Sequence, residues 1–254
     1  MQNTERINKM QDIHREPLGG GFEIYVSKSY HFSTDTILLA DFANRRGGRL
    51  RVDLGSGCGT IALLWLKNNK NIKVDAVEIQ SGACELIKKS VEFNHVEQNL
   101  NVINADLKDL KGRLEFGKYD LVACNPPYKL SGTGVPNPAD KKLIARHETD
   151  CTLDDVCLAA SRLLQFGGRF CLCQRPERLA DVFESMRRFD LEPKALRLVQ
   201  QRQSKPPKLF LIEGRRGGRR GFMETVPTLF IENADGGFSD EMMEIYGNYK
   251  NAEV

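Results

Sequence analysis

Leu50-Arg51-Val52-Asp53-Leu54-Gly55-Ser56-Gly57-Cys58-Gly59-Thr60 decides the fold. Leu50 to Leu54 reads as a short buried strand, and Gly55, Gly57 and Gly59 turn the chain sharply. An apolar helix follows, from Gly59 to about Leu66. A strand that passes through a glycine loop into a helix is the repeating unit of a parallel α/β sheet.

The alternation continues on both sides. Downstream, Ile72 to Ile79 is a second strand, and Ser81 to Asn94 a helix with Cys84, Ile87 and Val91 on one apolar face. Leu100 to Asn104 and Tyr119 to Cys124 are further strands. Leu153, Val156, Cys157, Ala160, Leu163 and Leu164 recur at helical spacing, with Thr152 and Asp155 as a capping box and Gly167-Gly168 as the stop. Phe170 to Cys173 is the next strand, and a helix opens at Pro176, a residue suited to a first turn. Ala195 to Val199, Leu209 to Ile212 and Thr228 to Ile231 close the chain as strands, which predicts an antiparallel hairpin at one edge. Upstream, Gly19-Gly20-Gly21 precedes a strand at Phe22 to Val26, and Ser33 or Thr34 caps a helix through Ala43. The expected fold is Rossmann-like: a doubly wound, mainly parallel sheet.

We expect a flexible extension over 1–20, one domain over 21–236 and a tail over 237–254. The segment from Lys129 to Glu148 has no clear element and follows an unusual turn, which predicts a functional loop over a substrate.

Composition narrows the classes. The chain has 254 residues with 41% hydrophobic and 28% charged, ordinary for a globular protein. The longest apolar stretches are too short to span a bilayer, and the polar N-terminus lacks a signal-peptide core. A cytoplasmic location is expected, with no membrane partner. The seven cysteines include no Cys-x-x-Cys pair, and the four histidines lack ligand spacing, so neither a disulfide framework nor a metal site is expected. Cys171 and Cys173 alternate along a strand and should face one core.

Net charge is +3, unevenly placed. Between Arg202 and Arg220, Arg202, Lys205, Lys208, Arg215, Arg216, Arg219 and Arg220 face one acid, Glu213. That segment is either a surface for a polyanion or a solvated basic loop.

Ligands of open α/β sheets bind beyond the carboxyl ends of the strands. The loop from Asp53 to Thr60 lies there. Glu78 closes the next strand, where a carboxylate can accept both hydroxyls of a ribose, and Asp106 follows the third, within reach of an adenine amino group. A dinucleotide could use the same geometry, but Thr60 stands where that fingerprint wants its third glycine. A nucleoside cofactor without a pyrophosphate, S-adenosylmethionine, suits the spacing better.

Asn125-Pro126-Pro127-Tyr128 ends the fourth strand of the series. An exocyclic amine is a weak nucleophile because its lone pair is delocalised into the ring. Acceptors on both N–H bonds favour a tetrahedral nitrogen aimed at a methyl donor, and the Asn125 side-chain oxygen and the Pro126 carbonyl can supply them. The prolines stiffen the turn, and Tyr128 can stack on the base. Methyl transfer to nitrogen then needs orientation more than acid–base help.

These residues resemble class I S-adenosylmethionine-dependent methyltransferases that modify amino groups, whose fold carries a seven-stranded sheet. Phe32-Ser33-Thr34-Asp35-Thr36-Ile37-Leu38-Leu39-Ala40-Asp41-Phe42, Ile144-Ala145-Arg146-His147-Glu148 and Glu213-Gly214-Arg215-Arg216-Gly217-Gly218 are similar to one family among them, the bacterial tRNA1(Val) adenine N6-methyltransferases, which act at adenosine 37. The resemblance covers roughly residues 20 to 235. It implies that Thr34 and Asp35, with Asp53, Gly55, Gly57, Gly59, Glu78 and Asp106, hold the cofactor. It also implies that Lys205, Lys208, Arg215, Arg216, Arg219 and Arg220 hold phosphates of an anticodon-loop tRNA. Release-factor glutamine methyltransferases share the Asn-Pro-Pro-Tyr pattern but carry a helical domain before it; only about fifty residues precede Leu50 here, which counts against a protein substrate. DNA adenine methyltransferases need an added recognition domain. Ribosomal RNA guanine N2-methyltransferases, release-factor glutamine N5-methyltransferases and a non-catalytic RNA-binding protein remain open as alternatives; an NAD-dependent oxidoreductase has no use for the Asn-Pro-Pro-Tyr turn.

Overall fold

The computed structural model describes residues 12–126 and 151–247. Two strands, β1 (His14–Gly19) and β2 (Phe22–Val26), form a hairpin. Then follow α1 (Thr34–Asn44), β3 (Leu50–Leu54), α2 (Thr60–Asn68), β4 (Lys73–Glu78), α3 (Ser81–Phe93), β5 (Leu100–Asn104) and β6 (Tyr119–Cys124). The second half runs α4 (Leu153–Leu163), β7 (Leu164–Gln174), α5 (Leu179–Arg188), β8 (Leu191–Gln200), β9 (Pro207–Arg216), β10 (Glu224–Phe230) and α6 (Asp240–Tyr246).

The main sheet has the order β10-β8-β9-β7-β6-β3-β4-β5. All its pairings are parallel except those of β9, which is inserted antiparallel between β7 and β8. The sheet therefore carries eight strands where seven were expected; β10 adds a parallel edge strand beside β8. Successive residues alternate between two cores, as a pleated strand requires. Leu121, Ala123, Cys171 and Cys173 enter the core under α1, α2, α3 and α6. Val122, Cys124, Phe170 and Leu172 enter the other, under α4 and α5. Trp65 is fully buried in the first core, and its indole N–H donates to the Ala40 carbonyl at 3.0 Å, tying α2 to α1.

Three features differ from the sequence expectation. The stretch assigned to a flexible extension contains β1, which places Leu18 in the core; Lys67 Nζ holds the Leu18 carbonyl at 2.9 Å. The stretch assigned to a tail contains α6, with Met242 and Tyr246 buried against the same core. Gly167-Gly168 do not stop α4, which ends at Leu163. They lie within β7 at a register shift against β6, where a side chain on Gly168 would meet the Tyr119 carbonyl at 2.8 Å. The capping box of α4 is present, with Thr152 Oγ1 accepting from the Asp155 N–H.

Candidate methyl-transfer site

Because β6, β3, β4 and β5 are adjacent and parallel, their carboxyl ends bring Asn125, the glycine loop, Glu78 and Asp106 to one edge of the sheet. The Gly55 and Ser56 N–H groups donate to the Val77 carbonyl at 2.9 and 3.0 Å. Gly55, Gly57 and Gly59 have φ of +70°, +56° and +91°, the left-handed region that glycine tolerates. Side chains on Gly55 and Gly57 would enter open space, so the loop presents bare backbone outward. At Gly59 a Cβ would lie 3.1 Å from Ile87, which makes that glycine a packing requirement between α2 and α3.

Glu78 is buried and holds the loop: Oε2 accepts from the Gly57 N–H at 2.9 Å and Oε1 from the Gln80 N–H at 2.8 Å. A carboxylate oxygen has two acceptor positions, so each can also take a hydroxyl. Asp106 Oδ1 accepts from the Lys108 N–H at 2.9 Å, a turn that fixes the carboxylate just past β5.

Asp53 lies beneath this loop, fully buried. No hydrogen bond of normal geometry reaches either carboxylate oxygen among the described residues. The Ser56 hydroxyl donates instead to the Asp53 backbone carbonyl at 2.9 Å. Burial pushes the Asp53 carboxyl up to about 7, against weaker pulls from Ser56 and the Ala62 N–H. An unpartnered buried carboxylate is costly unless a ligand supplies donors or positive charge. The orphaned acid, the bare glycine backbone and the strand-end acids together fit a cationic nucleoside cofactor.

Asn125 is partly buried with its amide engaged on both sides. Nδ2 donates to Thr36 Oγ1 at 2.8 Å, and the Cys173 thiol donates to Oδ1 at 3.1 Å. Thr36, two residues beyond Thr34 on α1, was not singled out from sequence, and Cys173, at the end of β7, was read there only as a core residue. Both lie far along the chain from Asn125; Thr36 sits inside the 32–42 stretch, the one sign pointing to it. Thr34 turns the other way, sharing a hydrogen bond of 2.9 Å with the Tyr246 hydroxyl. Asp35 stands in the same first turn of α1. Pro126 is buried beside Asn125, and Tyr128 with the 129–148 segment, including Arg146, His147 and Glu148, lies outside the described residues.

The basic segment does not form one surface. In the register of β7 against β9, Gln174 faces Phe210 and Arg169 faces Arg215. Lys205 and Lys208 therefore stand at the carboxyl end of β7, near the site. Arg215, Arg216, Arg219 and Arg220 stand at the opposite end of the sheet. Glu213 is a structural residue: buried, it pairs with Arg169 at 3.0 Å and Arg46 at 3.7 Å.

Residues 27–175 match the family model of the methyltransferase small domain. A tRNA1(Val) (adenine(37)-N6)-methyltransferase of Aeromonas hydrophila is 27% identical over 213 residues, 84% of this chain and 86% of that one. One from Porphyromonas gingivalis is 28% identical over 222 residues, 84% and 85% of the two chains. Among solved structures, a predicted O-methyltransferase from Agrobacterium tumefaciens superposes with a TM-score of 0.68 at 18% identity, covering 85% of this chain and 97% of that one; this likeness speaks for the fold. The matched stretch holds the glycine loop, Glu78, Asp106 and Asn125, and the chain belongs to the methyltransferase small domain family, a family of methyltransferases.

Proposed function

We propose that the protein methylates the N6 atom of an adenine in tRNA, at adenosine 37 of tRNA1(Val), with S-adenosylmethionine as cofactor. The observation that carries this reading is the fixed Asn125 amide at the end of β6, one strand from the glycine loop. The relatives of matching length add the substrate, since those proteins are named for that tRNA.

The cofactor supplies an activated methyl group on a sulfonium, and Asp53, Gly55, Gly57, Glu78, Asp106 and the first turn of α1 would hold it. Thr36 and Cys173 fix the plane of the Asn125 amide, and Oδ1, with its two acceptor positions, takes one N–H of the target amine. The Pro126 carbonyl takes the other, and Tyr128 stacks on the base. Holding both N–H bonds shapes the lone pair for in-line attack; the amine proton leaves to water afterwards. Orientation of this kind is the main contribution such a site makes. Lys205 and Lys208, at the same end of the sheet, meet RNA phosphates, a salt-sensitive contact blind to sequence. A base in a single-stranded loop reaches the site at little unstacking cost. A tRNA substrate also implies a cytoplasmic enzyme.

The test is nucleoside mass spectrometry on unmodified valine tRNA incubated with the protein and S-adenosylmethionine. Appearance of N6-methyladenosine supports the reading, and its absence, with cofactor binding intact, overturns the tRNA assignment.

A further inference from the structure

Phe166 and Phe222 are the most exposed large apolar side chains among the described residues, each 83% exposed. Both stand at the amino-terminal end of the sheet, away from Asn125: Phe166 at the start of β7, Phe222 just before β10. The Phe166 ring lies directly over Gly217, whose φ is +65°; a side chain there would collide with the ring at 2.2 Å. The Arg215 guanidinium flanks Gly167, with Nη2 3.3 Å from where a Cβ would sit. Lys194 Nζ donates to the carbonyls of Arg219 and Phe222, holding the turn that carries the second ring. Two open clefts of about 360 and 420 Å³ share Gly167, Lys194 and Arg215, so the rings and cations border one continuous surface.

The charges there are unbalanced. Three nearby acids are committed, Glu213 to Arg169 and Arg46, Glu224 to Arg45 and Arg46, and Glu192 to Arg187; Asp190, beside Gly217, is the acid there without an ion pair among the described residues, against Lys194, Arg215, Arg219 and Arg220. Arg215, Arg219 and Arg220 form no ion pair with any described residue. Exposed rings interleaved with uncompensated cations match single-stranded nucleic acid, whose bases stack on any aromatic face while the phosphates seek positive charge.

We propose that this surface is a second RNA-contact site, in which unpaired bases stack on Phe166 and Phe222 while Lys194, Arg215, Arg219 and Arg220 meet phosphates. The proposal rests on the RNA-substrate reading and adds a place to it. The ten residues of β9 separate this end from the methyl-transfer end, about 30 Å at strand rise. A substrate touching both ends would run along the molecule while its target base enters the methyl-transfer site. A second copy of the chain is a poor occupant, because a two-fold contact would set arginines against arginines.

Fluorescence anisotropy with a short labelled oligouridine and the full-length protein tests this. Phe166→Ala with Phe222→Ala is expected to weaken binding about tenfold or more with the salt slope unchanged. Arg219→Ala with Arg220→Ala is expected to flatten the slope by about 0.7 for each phosphate that is no longer neutralised. Phe→Trp at both positions should restore affinity and Phe→Leu should not, which separates stacking from misfolding or mere greasiness. The proposal is overturned if the double alanine variant binds within about twofold of the parent. It also fails if polyglutamate displaces the probe as well as RNA does, or if the alanines alter only self-association. Binding needs no methyl transfer, so Phe-dependent binding by a protein that leaves tRNA unmethylated would overturn the proposed function and leave this surface standing.

Discussion

Asn125 is oriented before any substrate arrives, because an amide held by a hydroxyl on one side and a thiol on the other has one plane available. Asn125→Ala should therefore cut transfer by about a hundredfold or more, the scale for losing one preorganised partner of a reacting group. Cofactor affinity, measured by titration, should stay within about twofold; near-normal turnover would remove the clamp from the mechanism. Asp53 makes a different demand. Its carboxyl is raised to about 7 by burial, against about 4 in an unfolded chain. Between those values the unfolded chain has released the proton and the folded chain keeps it, so stability is full below about pH 4 and falls as pH rises through 7. The loss is on the order of a few kcal/mol. Melting temperatures of the cofactor-free protein at pH 5 and pH 8 should show a smaller drop for Asp53→Asn than for the parent, and equal drops would refute the orphaned charge.

At the scale of elements, the ion pair of half-buried Arg169 with buried Glu213 joins β7 to β9, and Arg169 also reaches the Ala43 and Gly47 carbonyls at the end of α1. Removing one partner leaves an uncompensated buried charge. Glu213→Ala should cost roughly 3–5 kcal/mol in a denaturant titration; a loss under about 1 kcal/mol would show the pair to be dispensable. Strands β3, β5 and β6 were legible from their apolar runs to the residue, and α4 from its capping box. The sequence of β1 hid its role, since only Leu18 is buried and the turn at Gly19 to Gly21 looked like an entry point rather than a hairpin. Gly167-Gly168 read as a helix stop because glycine ends helices often, yet here it serves a close approach of two backbones.

Across the whole molecule, the strand-end residues could be read from sequence because each follows its own strand locally. Contacts between distant segments could not. Thr36 with Asn125 depends on where α1 settles against β6, and Tyr246 with Thr34 and the division of the basic segment depend on where α6 and β9 settle. Removing residues 237–254 would uncover the first core under α1 and take away Met242 and Tyr246, both buried. The loss should be roughly 2–5 kcal/mol from apolar burial, read as a lower melting temperature, and an unchanged one would mark α6 as an accessory. The hydrogen bond from Thr34 to Tyr246 also sets a birth order. During synthesis the glycine loop leaves the ribosome first, and the partner of Thr34 follows roughly ten to forty seconds later at ordinary elongation rates. A nascent chain thus carries most of its site while lacking the last support for α1, and it should become competent only once α6 has emerged.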